Sequence, residues 1–245
     1  KKMRKYLFDL KNLEKNNKIA MIVVILIVIA GLIYIWPMMT VQIPIDTTTL
    51  GDTDTGTVVK NVYGNASANN SIALITGIHP RETLSIDPEI KAAKEYVRDH
   101  PDVKIIHYDV RVTKDPEDYE NGRYNGEHLV QDYVNDDVAS SDADCVIISH
   151  SHIESYGEGF YVATPAMDND SVEISEKIQK TSDFNYYPRT GNETYKSTSA
   201  QLVSIPIAQS GHPTFVYEIP EDITEWDSTS KTKELFDMMV EFACN

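Results

Sequence analysis

A histidine and a glutamate three residues apart follow an apolar segment in the first half of the chain. They are His79 and Glu82, in the sequence Gly77-Ile-His-Pro-Arg-Glu82. Imidazole and carboxylate groups both bind zinc, and one tight turn can direct two such ligands to the same point. Residues 71–76 are apolar and predict a buried strand that ends just before the pair. Alone, the pair is a weak indication of a metal site, because short motifs of this kind arise often by chance.

A third ligand is available at the end of another apolar segment. His150 directly follows Val146-Ile-Ile-Ser149, which predicts a buried strand, so His150 has the same position relative to its strand as His79. His152 lies two residues further on and is the alternative ligand. A structural histidine, hydrogen-bonded at the end of a strand, is the competing interpretation of His150.

A glutamate inside a late apolar segment is the candidate general base. Glu218 lies in Pro213-Thr-Phe-Val-Tyr-Glu218-Ile-Pro220, where a buried carboxylate is unfavourable unless it has a partner. It is therefore either a hydrogen-bonded structural group or a group kept for chemistry. Burial raises the pKa of such a base towards working pH, whereas the charge of a nearby zinc ion opposes that rise.

Strand and helix patterns alternate through the region that carries these residues. We predict strands at 57–63, 71–76, 103–112, 145–149, 160–163 and 214–219, and helices at 87–99, 126–139, 171–181, 199–209 and 231–242. This order predicts the α/β class, with a mostly parallel central sheet covered by helices on both faces. Ligands of such sheets bind beyond the carboxyl ends of the strands, where both candidate histidines fall.

The N-terminal region has a different composition. Residues 1–18 carry seven basic and two acidic side chains, and 19–36 are uncharged and almost wholly aliphatic. Eighteen residues make a helix of about 27 Å, near the thickness of the bilayer's apolar core. We predict a cytoplasmic tail (1–18), a transmembrane anchor (19–39), a stalk (40–56) and one extracellular domain (57–245). A cleaved signal peptide is the alternative, although its apolar part would be shorter.

Net charge and composition restrict the classes of binding partner and the cellular compartment that the sequence predicts. The net charge of −16 argues against nucleic-acid binding, which needs clustered lysine and arginine. Four Asn-x-Ser/Thr sequences, which suit a glycosylated extracellular surface, begin at Asn65, Asn69, Asn169 and Asn192. The two cysteines, Cys145 and Cys244, could form a disulfide outside the cell, but we favour two free thiols.

The assembled motifs resemble the zinc carboxypeptidase family, including its succinylglutamate desuccinylase/aspartoacylase branch. The resemblance spans 57–245 and rests on His79-Pro-Arg-Glu82, Ser149-His150-Ser151 and the glutamate of the late apolar strand. It implies that His79, Glu82 and His150 bind one Zn²⁺ and that Glu218 is the general base. It also implies a tyrosine in a mobile loop, to which Tyr195 corresponds in position; an ordinary loop tyrosine is the alternative.

The chain departs from the family where the substrate is held. The Asn-Arg pair that binds a substrate's terminal carboxylate is not evident, and Gly122-Arg123-Tyr-Asn125 occupies its region. Arg123 could polarise the scissile carbonyl, bind a carboxylate or lie on the surface. The resemblance favours a zinc peptidase or amidase that acts on a peptide, and the predicted N-terminal anchor would hold it at the membrane. Peptides of the cell wall are a candidate substrate from that topology alone. An N-acyl-amino-acid deacylase and a non-catalytic binding module derived from the same fold are the alternatives.

Overall fold

The computed structural model describes residues 18, 20–32, 44–188 and 197–244 of the chain. The chain divides into two compact units, 1–42 and 43–245. In the first unit, residues 20–32 are helical. No helix in the described part of the chain combines the length and the apolar character needed to cross a bilayer. The anchor predicted at 19–39 extends over residues outside the described set, and it stays a prediction.

The second unit is built on one eight-stranded sheet. Its strands are β1 (Asp46–Asp52), β2 (Gly56–Gly64), β3 (Asn70–Thr76), β4 (Val103–Val112), β5 (Cys145–His152), β6 (Tyr161–Thr164), β7 (Asn185–Pro188) and β8 (Thr214–Pro220). They lie in the order β1-β2-β4-β3-β5-β8-β6-β7. The four central strands β4, β3, β5 and β8 are parallel, whereas antiparallel pairs join β1 to β2, β2 to β4 and β6 to β8. The predicted α/β class is confirmed, with a sheet that is mixed and parallel at its centre.

The parallel centre determines where the candidate residues lie. Strands β3 and β5 pair along Ile72–Ile75 and Cys145–Ile148, so both end at the same edge of the sheet. In the next pair, His150 of β5 is the register partner of Glu218 of β8. Because register partners in a parallel pair direct their side chains to the same face, these two residues face the same side.

Helices cover both faces of the sheet, as predicted. They are α1 (Asp87–Asp99), α2 (Tyr119–Tyr133), α3 (Asn135–Ala139), α4 (Asn169–Thr181), α5 (Ile205–Gln209) and α6 (Glu225–Phe242), with a π-helical turn at Ala200–Ser204 before α5. On one face, Ala73 and Ile148 share a core with Val130 of α2 and Ile207 of α5. On the other face, α1 packs on α6, where the Tyr96 ring meets Phe236 edge-on.

Three predicted boundaries were wrong, each for a physical reason. Helix α6 begins at Glu225 rather than at Lys231, because Thr224 and Asp227 form a capping box at its N-terminus. Residues 40–56 have the Thr- and Asp-rich composition of a stalk, yet Asp46–Asp52 form edge strand β1 paired with β2. Sheet pairing there stabilises a segment that has little apolar pattern of its own. Helix α2 begins at Tyr119 rather than near Gly126, because Asp118 caps it by accepting a hydrogen bond from the Asn121 amide at 2.7 Å.

A buried carboxyl group of α1 lies between strand β5 and helix α6. Glu89 of α1 is fully buried, and Thr232 Oγ1 donates to its Oε1 at 3.3 Å. Burial raises the pKa of Glu89 from 4.5 to about 8, and hydrogen bonds from Ser149 and Thr232 offset that rise only in part. The folded state therefore favours the protonated carboxyl group.

We expect Glu89→Gln to remove a pH dependence of stability. Since the pKa is raised in the folded state, the contribution of Glu89 to stability is fully present below about pH 4.5 and is lost as pH rises towards 8, by up to about 1.4 kcal/mol per pH unit. The glutamine variant should lose less stability over that interval. Urea unfolding of metal-free protein at pH 5 and pH 8 measures the difference. Glu173→Gln, which alters an exposed carboxylate of α4, is the control; equal pH slopes in wild type and Glu89→Gln would refute this assignment.

Candidate metal centre

The His-x-x-Glu turn is shaped by the residues that precede it. Gly77 follows β3 with a φ of 82°, and a Cβ atom there would lie 2.0 Å from the Val110 carbonyl oxygen. Only glycine fits this close approach and left-handed conformation without strain. The Glu82 amide then donates to the His79 carbonyl at 3.1 Å, which closes the turn and brings both side chains to one side.

Three side chains converge at this turn. His79 Nδ1 lies 2.8 Å from Glu82 Oε1, and His150 Nδ1 lies 2.8 Å from Glu82 Oε2. One ligand atom from each residue lies within 4.8 Å of the others, and both histidines are buried. Two imidazoles and one carboxylate are the ligand set of many catalytic zinc sites, in which a further position stays open for water. The arrangement fits a divalent metal ion.

The carboxylates determine the charge at this centre. Burial would raise the pKa of Glu82, but His150 and His79 outweigh it and hold that pKa far below its usual range. Burial would lower the pKa of His79, but the carboxylates of Glu82 and Glu127 outweigh it and raise that pKa. Glu82 is thus ionised across the physiological range, as a metal ligand must be.

A second carboxylate contacts the His79 ring nitrogen that does not face Glu82. Glu127 of α2 is buried, and its Oε1 lies 3.2 Å from His79 Nε2. A carboxylate that accepts from one imidazole nitrogen leaves the other nitrogen's lone pair for the metal, and it fixes the ring's orientation. The close approach of α2 makes this contact feasible, because a Cβ atom at Gly126 would lie only 1.7 Å from the Ile78 carbonyl oxygen. The sequence prediction missed Glu127, since a glutamate in an amphipathic helix usually lies on the surface.

Helix α2 also brings Arg123 to the centre. Its Nη1 lies 3.1 Å from Glu82 Oε1 and 3.0 Å from His79 Nδ1, and its guanidinium lies 5.3 Å from the centre of the Tyr119 ring. Arg123 therefore lies in the site rather than on the surface, and both roles predicted for it within the site stay open. Its role in catalysis remains a prediction.

Glu218 lines the cavity beside the metal group. It is partly exposed rather than buried, which corrects the expectation from its apolar neighbours. The physical reason is that alternate residues of β8 face opposite sides: Tyr217 and Ile219 enter the core, whereas Val216 and Glu218 face the cavity. Tyr195 lies outside the described residues.

His152, the alternative third ligand, is engaged elsewhere. Its Nδ1 lies 3.1 Å from the Ile153 carbonyl oxygen, and its Nε2 lies 2.9 Å from the Gly159 carbonyl oxygen. Its ring also packs against Tyr161, with centroids 4.9 Å apart. Both nitrogens thus face backbone acceptors, and His150 is the histidine that joins His79 and Glu82.

Two adjoining cavities open at the metal group. The larger has a volume of about 580 Å³ and contains His150 and Glu218, and the smaller has a volume of about 190 Å³ and contains Arg81 and Asp118. Six residues line both cavities: His79, Glu82, Tyr119, Arg123, Ile153 and Glu221. The candidate metal centre therefore lies at the junction of a large and a small compartment.

Solved structures with a similar fold include carboxypeptidases. A metallo-carboxypeptidase from Burkholderia cenocepacia aligns with 85% of this chain and 68% of its own, at 13% identity and a TM-score of 0.54. LapB from Legionella pneumophila aligns over 82% and 60%, at 12% identity and a TM-score of 0.54. The cell shape determinant protein Csd4 from Helicobacter pylori aligns over 76% and 55%, at 10% identity and a TM-score of 0.50.

The chain spans between about half and two thirds of the length of these structures. No protein-family model matches the sequence, and no curated protein matches it. The structural comparison confirms the expected similarity to zinc carboxypeptidase-like proteins in fold. The chain therefore has a metallocarboxypeptidase-like fold. In this fold, His79, Glu82 and His150 form a candidate metal site.

Proposed function

We propose that this protein is a zinc-dependent hydrolase of amide bonds that acts on peptides. The observation that carries the proposal is the convergence of His79, Glu82 and His150 at one edge of the sheet, with Glu218 facing the adjoining cavity from the next strand. This ligand set favours zinc over Mg²⁺ and Ca²⁺, which prefer oxygen ligands.

The proposed roles of the protein groups follow from their positions. A bound zinc ion would supply an activated water and polarise the substrate carbonyl. Glu218 would take the proton from the attacking water and deliver it to the leaving amine. Glu127 would hold His79 in the orientation and protonation state that ligation needs, through their 3.2 Å contact.

Charge that develops on the carbonyl oxygen needs a fixed hydrogen-bond donor. Arg123 is the proposed donor, because helix α2 places its guanidinium against Glu82 and the adjoining cavities. Tyr195 is the second proposed donor, on the basis of the family resemblance alone.

We propose that the hydrolase domain lies outside the cell, held by an N-terminal anchor at 19–39. The long uncharged aliphatic run supports the anchor, and the preceding basic residues support a cytoplasmic N-terminus. Three Asn-x-Ser/Thr sites in the described part of the chain, at Asn65, Asn69 and Asn169, are exposed, as glycosylation would require. Peptides of the cell wall are the proposed substrates in that location, and the fold's similarity to a cell shape determinant protein supports this choice.

Metal analysis and a substrate panel test the proposed function. The full chain, purified in detergent, should contain about one zinc per chain and hydrolyse peptides, and a chelator should abolish turnover until zinc is restored. The panel contains peptides with free and with blocked C-termini, together with N-acyl amino acids. Turnover confined to the N-acyl amino acids would favour the deacylase, since the absent Asn-Arg pair leaves room for it. A chain that binds no zinc would favour the non-catalytic module.

A further inference from the structure

The central strand β5 begins with one of the chain's two cysteines. Cys145 is its first residue and is fully buried. Alternate residues of a strand face opposite sides of the sheet, and Val146 and Ile148 pack in the core that α2 and α5 share. Ser149 faces the other side, where it hydrogen-bonds with Glu89 of α1. Cys145 alternates with the same residues as Ser149 does, so its thiol faces the side of the sheet that α1 and α6 cover.

The other cysteine lies at the end of the helix on that side. Cys244 comes two residues after the last residue of α6, and its amide donates to the Met239 carbonyl at 3.2 Å. Met239 is fully buried, whereas Cys244 is partly exposed. The main chain of Cys244 is therefore held at the buried end of α6, while its side chain stays accessible to solvent.

The two thiols meet where α6 ends. Cys145 and Cys244 are both free, and their side chains form a hydrogen bond. The neighbouring Cys244 thiol and burial together raise the pKa of Cys145 well above its usual value. The sequence contains no further cysteine, so each thiol has only the other as a partner within the chain. The pair thus combines one accessible thiol with one buried thiol in contact with it.

We propose that Cys145 and Cys244 are an oxidisable pair, and that their disulfide stabilises the domain by joining the end of the chain to its central strand. The bridge would close a loop of about 100 residues, and a cross-link over a loop of that length restricts the unfolded chain strongly. Such bonds persist outside the cell, the location proposed above. The inference goes beyond the proposed hydrolase function, and neither depends on the other.

The oxidation would begin at the accessible thiol. The Cys244 thiolate attacks one sulfur of a small disulfide such as oxidised glutathione, which breaks the glutathione S–S bond, forms a mixed disulfide and releases one glutathione. The Cys145 sulfur then loses its proton and attacks the Cys244 sulfur, and the second glutathione leaves as a thiol. The two cysteines together lose two electrons and two protons, which convert one oxidised glutathione into two glutathione thiols. The attack by Cys145 should be the slower step, because only a thiolate is a good nucleophile.

Thiol counting on the full chain tests the pair. Zinc-loaded protein in detergent is incubated with reduced or with oxidised glutathione and is then unfolded with a maleimide that labels free thiols. Reduced protein should carry two labels and oxidised protein none, and oxidation should lower the intact mass by that of two hydrogen atoms. Peptide mapping should find Cys145 and Cys244 in one cross-linked peptide.

Thermal unfolding measures the effect of the bridge. The Tm of the oxidised chain should exceed that of the reduced chain by about 5 to 10 °C, the rise expected for a long-loop disulfide in a domain of this size. Cys244→Ser is the control, because it replaces a partly exposed residue beyond the end of α6 and removes only the accessible thiol. Its Tm should be the same in both glutathione buffers.

Four results would overturn the inference. They are two labelled thiols after oxidation, a Cys244 that keeps one glutathione, a disulfide-linked dimer on a non-reducing gel, and a bridged chain whose Tm equals that of the reduced chain. A chain that forms the stabilising bridge but binds no zinc or cleaves no peptide would leave the inference standing and refute the proposed function alone. An active peptidase that forms no bridge would refute the inference alone.

Discussion

Glu218→Gln should abolish turnover while the chain keeps about one zinc ion. The amide of glutamine has nearly the shape of the carboxylate but cannot accept the proton, so the expected loss in kcat is on the order of 10²- to 10⁴-fold. Glu218 does not belong to the ligand group of His79, Glu82 and His150, so metal content should not change. Steady-state kinetics with metal analysis of the same preparation measure both quantities.

Asp222→Asn is the matched control for this variant. It removes a carboxylate four residues further along the chain, at an exposed position outside both cavities, and should leave kcat within about twofold of wild type, as expected for surface changes. A Glu218→Gln protein that loses zinc would show that Glu218 is a ligand. One that turns over normally would show that another group accepts the proton.

Glu82→Ala should remove the metal. The carboxylate of Glu82 contacts both histidines, accepts from the Ser151 amide at 3.3 Å and contacts Arg123 at 3.1 Å. Without it, the Arg123 guanidinium would face the His79 imidazole with no carboxylate between them. We expect zinc affinity to fall by more than about 100-fold, because even the loss of a residue that only supports a ligand lowers affinity 10- to 100-fold.

Glu127→Gln should lower zinc affinity by a smaller amount than Glu82→Ala. It keeps the shape of the residue behind His79 but weakens the acceptor, so zinc affinity should fall less than in Glu82→Ala, in the 10- to 100-fold range. Zinc affinities come from competition with a chromophoric chelator, with circular dichroism to confirm that each variant is folded. Equal affinities of wild type and Glu82→Ala would contradict the assignment of the metal centre.

The metal ligands were predictable because their positions depend on simple properties of parallel sheets. An apolar segment that stops at His79 and another that stops near His150 must end at the same edge if their strands are parallel. Buried strands of this kind are among the clearest patterns in a sequence. The positions of these two histidines therefore followed from the strands, without any knowledge of the loops between them.

The parts of the site carried by helix α2 could not be predicted in the same way. Residues 119–126 include two glycines and two asparagines, which have low helix propensity and suggest a loop. Packing against residues 78–80 outweighs that propensity, and only three-dimensional contact shows it. Glu221 illustrates a related limit: it is exposed, as its place after Pro220 suggests, yet it lines both cavities.

Because Gly126 has no side chain, helix α2 can pack close to the metal centre. Metal binding and the docking of this helix are therefore coupled. Because α2 lies directly on the Ile78 carbonyl, His79 and Glu127 remain in contact only while the helix stays docked. A ligand that binds only the docked arrangement stabilises it by an amount that grows with ligand concentration. The amide protons of α2 should therefore exchange with solvent more slowly as the concentration of free zinc rises. The stability of this helix would then depend on the zinc concentration of the compartment in which the protein resides.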